Sequence, residues 1–382
     1  MLTPGCATRT GTDAYGHSAG QSCAPGHYSD FLNQHLKLSS LGLGTFPGAA
    51  TAAVDAAYAD IVERALRSGI NVIDTAAHYR YGRSMCAVGD GLRRAFAAGI
   101  GREQVYVVGK GGFLRFEDGP PADLAAWFEA NIARKGLGAY DDLTGAHCLA
   151  PAYIAHQIDE LREATGLATL DAFLIDQPEV HIPRLGKEEL NRRLQTAFAV
   201  LEQAVRLDKI RSYGIATFDG LRAETDHALF QSLTSLLALA ENAARVVNGE
   251  AQAHHHFRIV QLPFNAVMNE GFTRFSQATG QGNVASTLQA AHQLRVFVMG
   301  SHGLAKGRLA DTGIDGLRAA LPGFANDAQR ALQFNRSTPG LGVSLAGIST
   351  PVHLDDLLAV AAQPPLARTD YLKLYRRADD AD

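Results

Sequence analysis

Eight short apolar runs, each followed by a segment with helical spacing, constrain this chain more than any other feature. They are LSSLGLG (38–44), INVID (70–74), VYVVG (105–109), AFLID (172–176), RSYGIA (211–216), RIVQL (258–262), RVFVM (295–299) and VSLAG (343–347). Near-continuous apolar runs suit parallel strands buried on both faces, and their alternation with helices marks βα units. Val54, Tyr58, Ile61, Val62, Ala65 and Leu66 share one face of a helix over 53–68. Leu190, Leu194, Phe198, Leu201 and Val205 share one over 190–207. Further helices are expected near 84–98, 151–165, 222–242, 283–293, 324–335 and 354–362. An α/β chain closed as a (β/α)8 TIM barrel fits this count, and a doubly wound open sheet is the alternative. No GxGxxG follows the first strand, and GLGT (42–45) leads into a loop, so a Rossmann-type start has no support.

Residues 1–37 are rich in Gly, Ser, Thr and His without a clear period and read as an N-terminal extension. Residues 38–382 read as one barrel domain. A formal charge of −4 with no long basic block gives no reason to expect nucleic acid or an anionic membrane as a partner. Cys6, Cys23, Cys86 and Cys148 are too scattered for a disulfide framework or a zinc site. Nothing near residues 1–20 looks like a signal peptide, and no apolar stretch would span a bilayer. The expectation is a soluble cytoplasmic protein, a monomer or weak oligomer, acting on a small molecule.

In a barrel, the loops that follow the strands build the active face, and the longest here run over 111–150 and 177–189. Asp74 ends INVID, Tyr79 follows five residues later, Lys110 closes VYVVG and Asp176 ends AFLID. These ends would meet at one mouth, where a buried charge is costly unless paired. One reading is a tyrosine whose proton is made labile by an ammonium that a carboxylate holds. The plain alternative is an Asp74–Lys110 salt bridge that only seals the barrel top. His254–His256 is not expected to bind metal, because adjacent residues rarely face one ion. His147 and Cys148 are as readily packing as catalysis. His181 could swing in as a substitute acid. His78 would line the pocket or cap its turn. Trp127 and Phe113–Phe116 would form a substrate wall or a small core under their own loop.

The stretches GINVIDTAAHYRYGRS, VYVVGKGG, LDAFLIDQPE, DKIRSYGIATFDG, IVQLPFN and GLAKGRL, in this order and spacing, resemble the aldo-keto reductase superfamily. The longer bacterial members with a Lys-Gly-Gly strand end are the most similar. The resemblance spans about 37–362. It implies a (β/α)8 barrel that binds NADP or NAD and transfers hydride to a carbonyl. It makes Tyr79 the proton donor, Lys110 the group that lowers its pKa, and Asp74 the holder of Lys110. It places Ala216, Thr217 and Gln261 at the nicotinamide carboxamide. Around the rest of the cofactor it places Gly44 and Thr45, then Ser301, Gly303 and Arg308, then Gly347, Ser349, His353 and Asp356.

The departures carry their own chemistry. Asp176 stands where the family usually has His. Neutral His donates a hydrogen bond to a carbonyl, whereas an ionised Asp cannot and repels a developing oxyanion. Asp176 could act as an acid only if burial keeps it protonated. Met85 replaces a common Glu, and Ala216-Thr217 replaces a Ser-Asn pair. Gly347, Ile348 and Ser349 supply no charge for a 2′-phosphate, His353 replaces a common Arg, and Leu357 stands where an Asn often meets adenine. Lys306, Arg308 and Arg336 could reach the phosphate from other loops. The leading expectation is therefore an NAD(P)-dependent oxidoreductase on a carbonyl, alcohol or activated C=C bond. A redox-neutral dehydratase, lyase or cyclase using Tyr79, Lys110 and Asp176 is the second reading. A non-enzymatic binding barrel is the third.

Overall fold

The computed structural model describes residues 1–31, 35–249, 254–280 and 282–375. Eight strands run parallel and close on themselves: β1 (Leu41–Gly44), β2 (Val72–Asp74), β3 (Tyr106–Gly111), β4 (Ala172–Asp176), β5 (Tyr213–Ala216), β6 (Phe257–Pro263), β7 (Phe297–Ser301) and β8 (Val343–Gly347). Each pairs with the next in chain order, and β8 returns to β1 through Ser344↔Leu41 to Gly347↔Gly44. The closed sheet selects the (β/α)8 barrel over the open sheet.

Around it lie α1 (Ala52–Arg67), α2 (Arg83–Ala97), α3 (Pro151–Thr165), α4 (Ile182–Arg206), α5 (Leu233–Asn248), α6 (Thr287–Gln293), α7 (Asp327–Arg336) and α8 (Pro351–Ala361). Their apolar faces meet the outward side chains of the strands, so one core of Ile61, Val62, Val88, Leu161, Phe198, Val260 and their neighbours rings the barrel. Inside, alternate strand residues form a second cluster: Val72, Tyr106, Val108, Ala172, Leu174, Ile259, Phe297, Met299, Val343 and Leu345. A hairpin of Tyr28–Phe31 and Leu36–Ser39 adds Phe31, Leu36 and Leu38 to that inner cluster. A helix, Arg9–His17, precedes it.

Three element boundaries differ from the sequence reading. The run 38–44 is two strands, because Leu36–Ser39 turns away to pair antiparallel with the hairpin partner. The helix expected over 222–242 spans Leu233–Asn248, started by Ser232, whose side chain accepts from the Ser235 N–H. Its apolar residues Ala228, Leu229 and Phe230 are contiguous rather than helically spaced, so 222–232 forms turns. The helix expected from 190 begins at Ile182 and bends at Gly186, where φ is +77°.

Candidate active site

Parity within the strands builds the site. Val72, Val108, Leu174 and Ile259 point into the barrel, so Asp74, Lys110, Asp176 and Gln261, two residues on, point the same way one layer higher. Lys110 Nζ donates to Asp74 Oδ1 at 2.8 Å and to Gln261 Oε1 at 2.9 Å. Gln261 Nε2 donates to Asp74 Oδ2 at 2.9 Å. Three buried polar side chains thus close a ring in which the two charges are paired, which is what makes burying them tolerable. Thr45 ties its own N–H and hydroxyl to the carbonyl of Asp74, at 3.2 and 3.0 Å, and so fixes the end of β2.

Tyr79 lies on the one-turn helix after β2, with Lys110 Nζ 4.9 Å from its ring centroid. The next two residues, Arg80 and Tyr81, are left-handed at φ 49° and 60°, a strained conformation that needs outside support. Arg80 provides it: the guanidinium donates to Ala49 O at 2.7 Å and to Asp55 Oδ1 at 2.6 Å, and lies over the Tyr58 ring. Burial raises the pKa of Tyr79 well above the phenol range, and Lys110 offsets only part of this. The resting phenol therefore keeps its proton. Lys110 loses charge preference by burial, but Asp74, Tyr79 and Asp176 together pull its pKa upward, so the ammonium persists.

Burial pushes Asp176 up to about 6, against the pull of Lys110 and with the help of Asp74. Its Oδ2 lies 3.9 Å from His78 Nε2. His78 makes no cap hydrogen bond, so the turn-capping alternative is set aside. Its ring stacks edge-on to Tyr79 at 4.8 Å and against Phe113 at 5.0 Å. Phe46, largely exposed, meets Tyr79 at 5.1 Å from the other side. Phe113 thus faces the mouth. Phe116 and Trp127 instead pack on each other at 4.9 Å in a core with Leu114, Phe128, Ile132 and Tyr153, the plainer of their two readings.

His181 is not placed to replace an acid in the mouth. It is buried in a chain whose donors follow from neutral rings. His147 Nε2 donates to the carbonyl of Asp176 at 2.6 Å, His181 Nε2 to His147 Nδ1 at 2.9 Å, and the Thr144 hydroxyl to His181 Nδ1 at 2.8 Å. Burial holds His147 near 3 and His181 near 4, so both stay neutral. This chain explains Gly112, and a neighbouring glutamine explains Gly111. A Cβ on Gly112, where φ is +117°, would lie 2.3 Å from His147 Nε2, and one on Gly111 would meet Gln157 Oε1 at 2.6 Å. Gly112→Ala is expected to cost on the order of 2–4 kcal/mol, from strain and overpacking together, in urea denaturation. A loss under about 1 kcal/mol would show that the histidine chain yields readily.

Several of the residues expected around the cofactor have partners within the protein. Gln261 uses each end of its amide once, on Lys110 and Asp74, which leaves one further N–H and one further lone pair, and Thr45 donates its hydroxyl to the Asp74 carbonyl. Asp356 accepts from Asn326 Nδ2 and Gln329 Nε2, both at 2.8 Å, and so serves the α7–α8 contact. Arg336 is buried and donates to the carbonyls of Val360 and Gln363. Thr217 is placed differently: its hydroxyl is buried at the end of β5 with no partner, a vacancy that a polar ligand group fits. Ala216 is buried beside it, and Gly44 ends β1 next to Gly347 of β8. Ser301 Oγ lies 3.2 Å from His302 Nδ1, while buried Gly303 gives its carbonyl to Asn335 Nδ2 at 2.9 Å. Ser349 lies beside Gly48, and Lys306, Arg308 and His353 are exposed.

One residue with no sequence signal joins these loops. Glu179 Oε1 accepts the N–H groups of Phe218 at 2.6 Å and Asp219 at 3.2 Å, linking the loop after β4 to the loop that carries Thr217. Burial nonetheless lifts its pKa to about 7. Its partners are main-chain groups about 40 residues away, which a side-chain pattern cannot reveal. His256 Nδ1 is 2.7 Å from Glu202 Oε2, and no cluster of three metal-ligating side chains occurs among the described residues.

Comparison with known proteins places this geometry. The D-galacturonate reductase of Hypocrea jecorina is 44% identical over 79 residues, 21% of this chain and 23% of that protein. The match thus spans under a quarter of the curated relative. An aldo/keto reductase of Klebsiella pneumoniae, solved with NADP and acetate, superposes with a TM-score of 0.58 at 19% identity, over 91% of this chain and 94% of that one. The holo form of a Bacillus halodurans aldo-keto reductase gives 0.58 at 17%, over 92% and 97%. Among the described residues, no helix is long and apolar enough to cross a membrane. The Aldo/keto reductase family profile matches residues 40–242, more than half of the chain, and the chain belongs to that family.

Proposed function

We propose that this protein is an NAD(P)-dependent oxidoreductase that moves hydride between a nicotinamide cofactor and a small-molecule carbonyl, alcohol or activated C=C bond. The observation that carries this reading is the ring of Asp74, Lys110 and Gln261 beneath Tyr79. Asp74 and Gln261 hold the ammonium in place. Lys110 sets a positive charge where a phenolate would form. Tyr79 keeps its proton until a substrate oxygen becomes basic enough to take it. The cofactor, when bound, supplies or accepts the hydride.

Thr217 would meet the carboxamide, since its buried hydroxyl lacks a partner. Gly44, Ala216, Ser301, Gly303, Gly347 and Ser349 would border the dinucleotide, with His353 near the adenosine end. Lys306 and Arg308 are the exposed cations offered to a 2′-phosphate. The relative that reduces D-galacturonate makes sugar acids the first substrates to try.

The test is calorimetric titration of NADPH, NADP+, NADH and NAD+ into protein stripped of ligand. Binding near micromolar strength, about −8 kcal/mol, is expected for at least one of them. If NADPH is preferred, a Lys306→Ala, Arg308→Ala double variant is expected to weaken it about tenfold or more and leave NADH unchanged. No binding of any of the four would sink this reading. The redox-neutral use of Tyr79, Lys110 and Asp176 would then take its place.

A further inference from the structure

We propose that His78 is a catalytic residue of this site, offering a ring nitrogen to the substrate oxygen beside Tyr79, and that Asp176 decides which ring nitrogen carries the proton. The inference rests on the oxidoreductase reading above and goes beyond it by naming a second group at the reacting oxygen.

Four observations converge on the imidazole. It borders Tyr79 and Phe113, the two rings that flank the mouth. Its side chain keeps 18% exposure, so it reaches the opening rather than the core. Its Nε2 faces Asp176 Oδ2 at 3.9 Å, just beyond hydrogen-bond range. Its Nδ1 is buried and has no partner. An unpaired buried nitrogen is unfavourable, and a substrate oxygen that reaches it on a small shift of the exposed ring would supply the missing hydrogen bond.

Neutral imidazole has one donor nitrogen and one acceptor. Burial and Lys110 hold His78 near 3, so it stays neutral across the working range. When Asp176 is ionised, the carboxylate draws the proton to Nε2, and Nδ1 is an acceptor suited to the O–H of an alcohol. When Asp176 is protonated, its O–H faces Nε2, the ring proton moves to Nδ1, and Nδ1 donates to a carbonyl oxygen. His78 makes and breaks no covalent bond to substrate. In reduction, the carbonyl carbon takes hydride from the dihydronicotinamide and the oxygen takes the Tyr79 proton, which solvent replaces.

The site thus passes the donor character of protonated Asp176 on to the substrate oxygen through His78, and it ties the favoured direction of reaction to the protonation of Asp176, centred near pH 6. The other charged or titratable groups facing the pair are Asp74, Lys110, Tyr79 and His147. Lys110 and Tyr79 do not change state near pH 6, because their pKa values are raised far above it. His147 remains neutral at that pH.

Nitrogen-15 NMR of the histidine rings in the ligand-free protein tests the tautomer without any turnover. The resonances of His78, identified by their loss in His78→Phe, are expected to report Nε2–H above pH 7 and Nδ1–H below pH 5. In Asp176→Asn the side-chain amide can donate to Nε2, so Nδ1–H is expected throughout. A tautomer indifferent to pH and to Asp176→Asn would overturn the coupling. With 4-nitrobenzaldehyde and D-galacturonate as probe carbonyls, His78→Phe is expected to lower kcat about 100-fold, with cofactor affinity unmoved. A change under twofold would overturn the catalytic role. Absence of turnover in the unmodified protein with both probes would count against the oxidoreductase reading, and the NMR result would still decide the His78–Asp176 coupling.

Discussion

Lys110→Met is expected to remove about 3–5 kcal/mol of stability together with nearly all activity, the largest combined loss of any single change in the site. Lys110 is 2% exposed and, among the described residues, is the cation hydrogen-bonded to Asp74, which is buried to the same degree. Methionine fills a similar volume, so cavity formation adds little. The penalty comes from a carboxylate left in the barrel with the Gln261 amide as its remaining hydrogen-bond partner among the described residues. The cost can be separated from the chemistry. Asp74→Asn combined with Lys110→Met removes both charges and lets two amides face each other at positions 74 and 261. The double variant should regain most of the lost stability in urea denaturation and none of the activity. If the single variant loses less than about 1 kcal/mol, Asp74 is not held as a buried ion, and the electrostatic account of the site fails with it. If the double variant is no more stable than the single, packing rather than charge pairing governs the layer.

Much of this layer was legible in the linear sequence because strands alternate. Asp74, Lys110 and Asp176 each close an apolar run, with Tyr79 five residues beyond Asp74, so a common mouth followed from strand ends and barrel closure, whereas Gln261 entered through the family resemblance. What parity could not show was the partner of each. Gln261 is polar, inward and next to the expected cofactor site, yet its amide completes the Asp74–Lys110 ring. Glu179 and His147 were unreadable for a different reason. Their acceptors and donors include the main chain at Phe218, Asp219 and Asp176, which any sequence supplies equally. The first part of the helix expected at 222–242 differs for the same kind of cause. Arg222 bonds back to the carbonyl of Phe218, an interaction of the loop that no apolar spacing encodes.

Tyr79→Phe is expected to lower kcat by about 100- to 10,000-fold while leaving the fold, and the affinity for whichever dinucleotide binds, unchanged. The two effects separate because the phenol is buried in a cradle of ring contacts that phenylalanine preserves: Phe46 at 5.1 Å, His78 at 4.8 Å and the Lys110 ammonium at 4.9 Å from the centroid. Only the O–H is lost, and with it the proton that burial holds on the resting group. Tyr81, the other tyrosine of the motif, cannot take over. It sits two residues along a left-handed turn that Arg80 anchors to Ala49 and Asp55, and more than a third of it faces solvent. Tyr81→Phe is therefore the matched control and should change kcat less than threefold. A Tyr79→Phe enzyme with near-normal kcat would mean that the proton comes from elsewhere, and the acid at Asp176 would become the group to examine. An intact Tyr79→Phe effect with a Lys110→Met enzyme that still turns over would separate the phenol from its cation. The lysine would then serve the architecture of the barrel mouth and not the acidity of Tyr79.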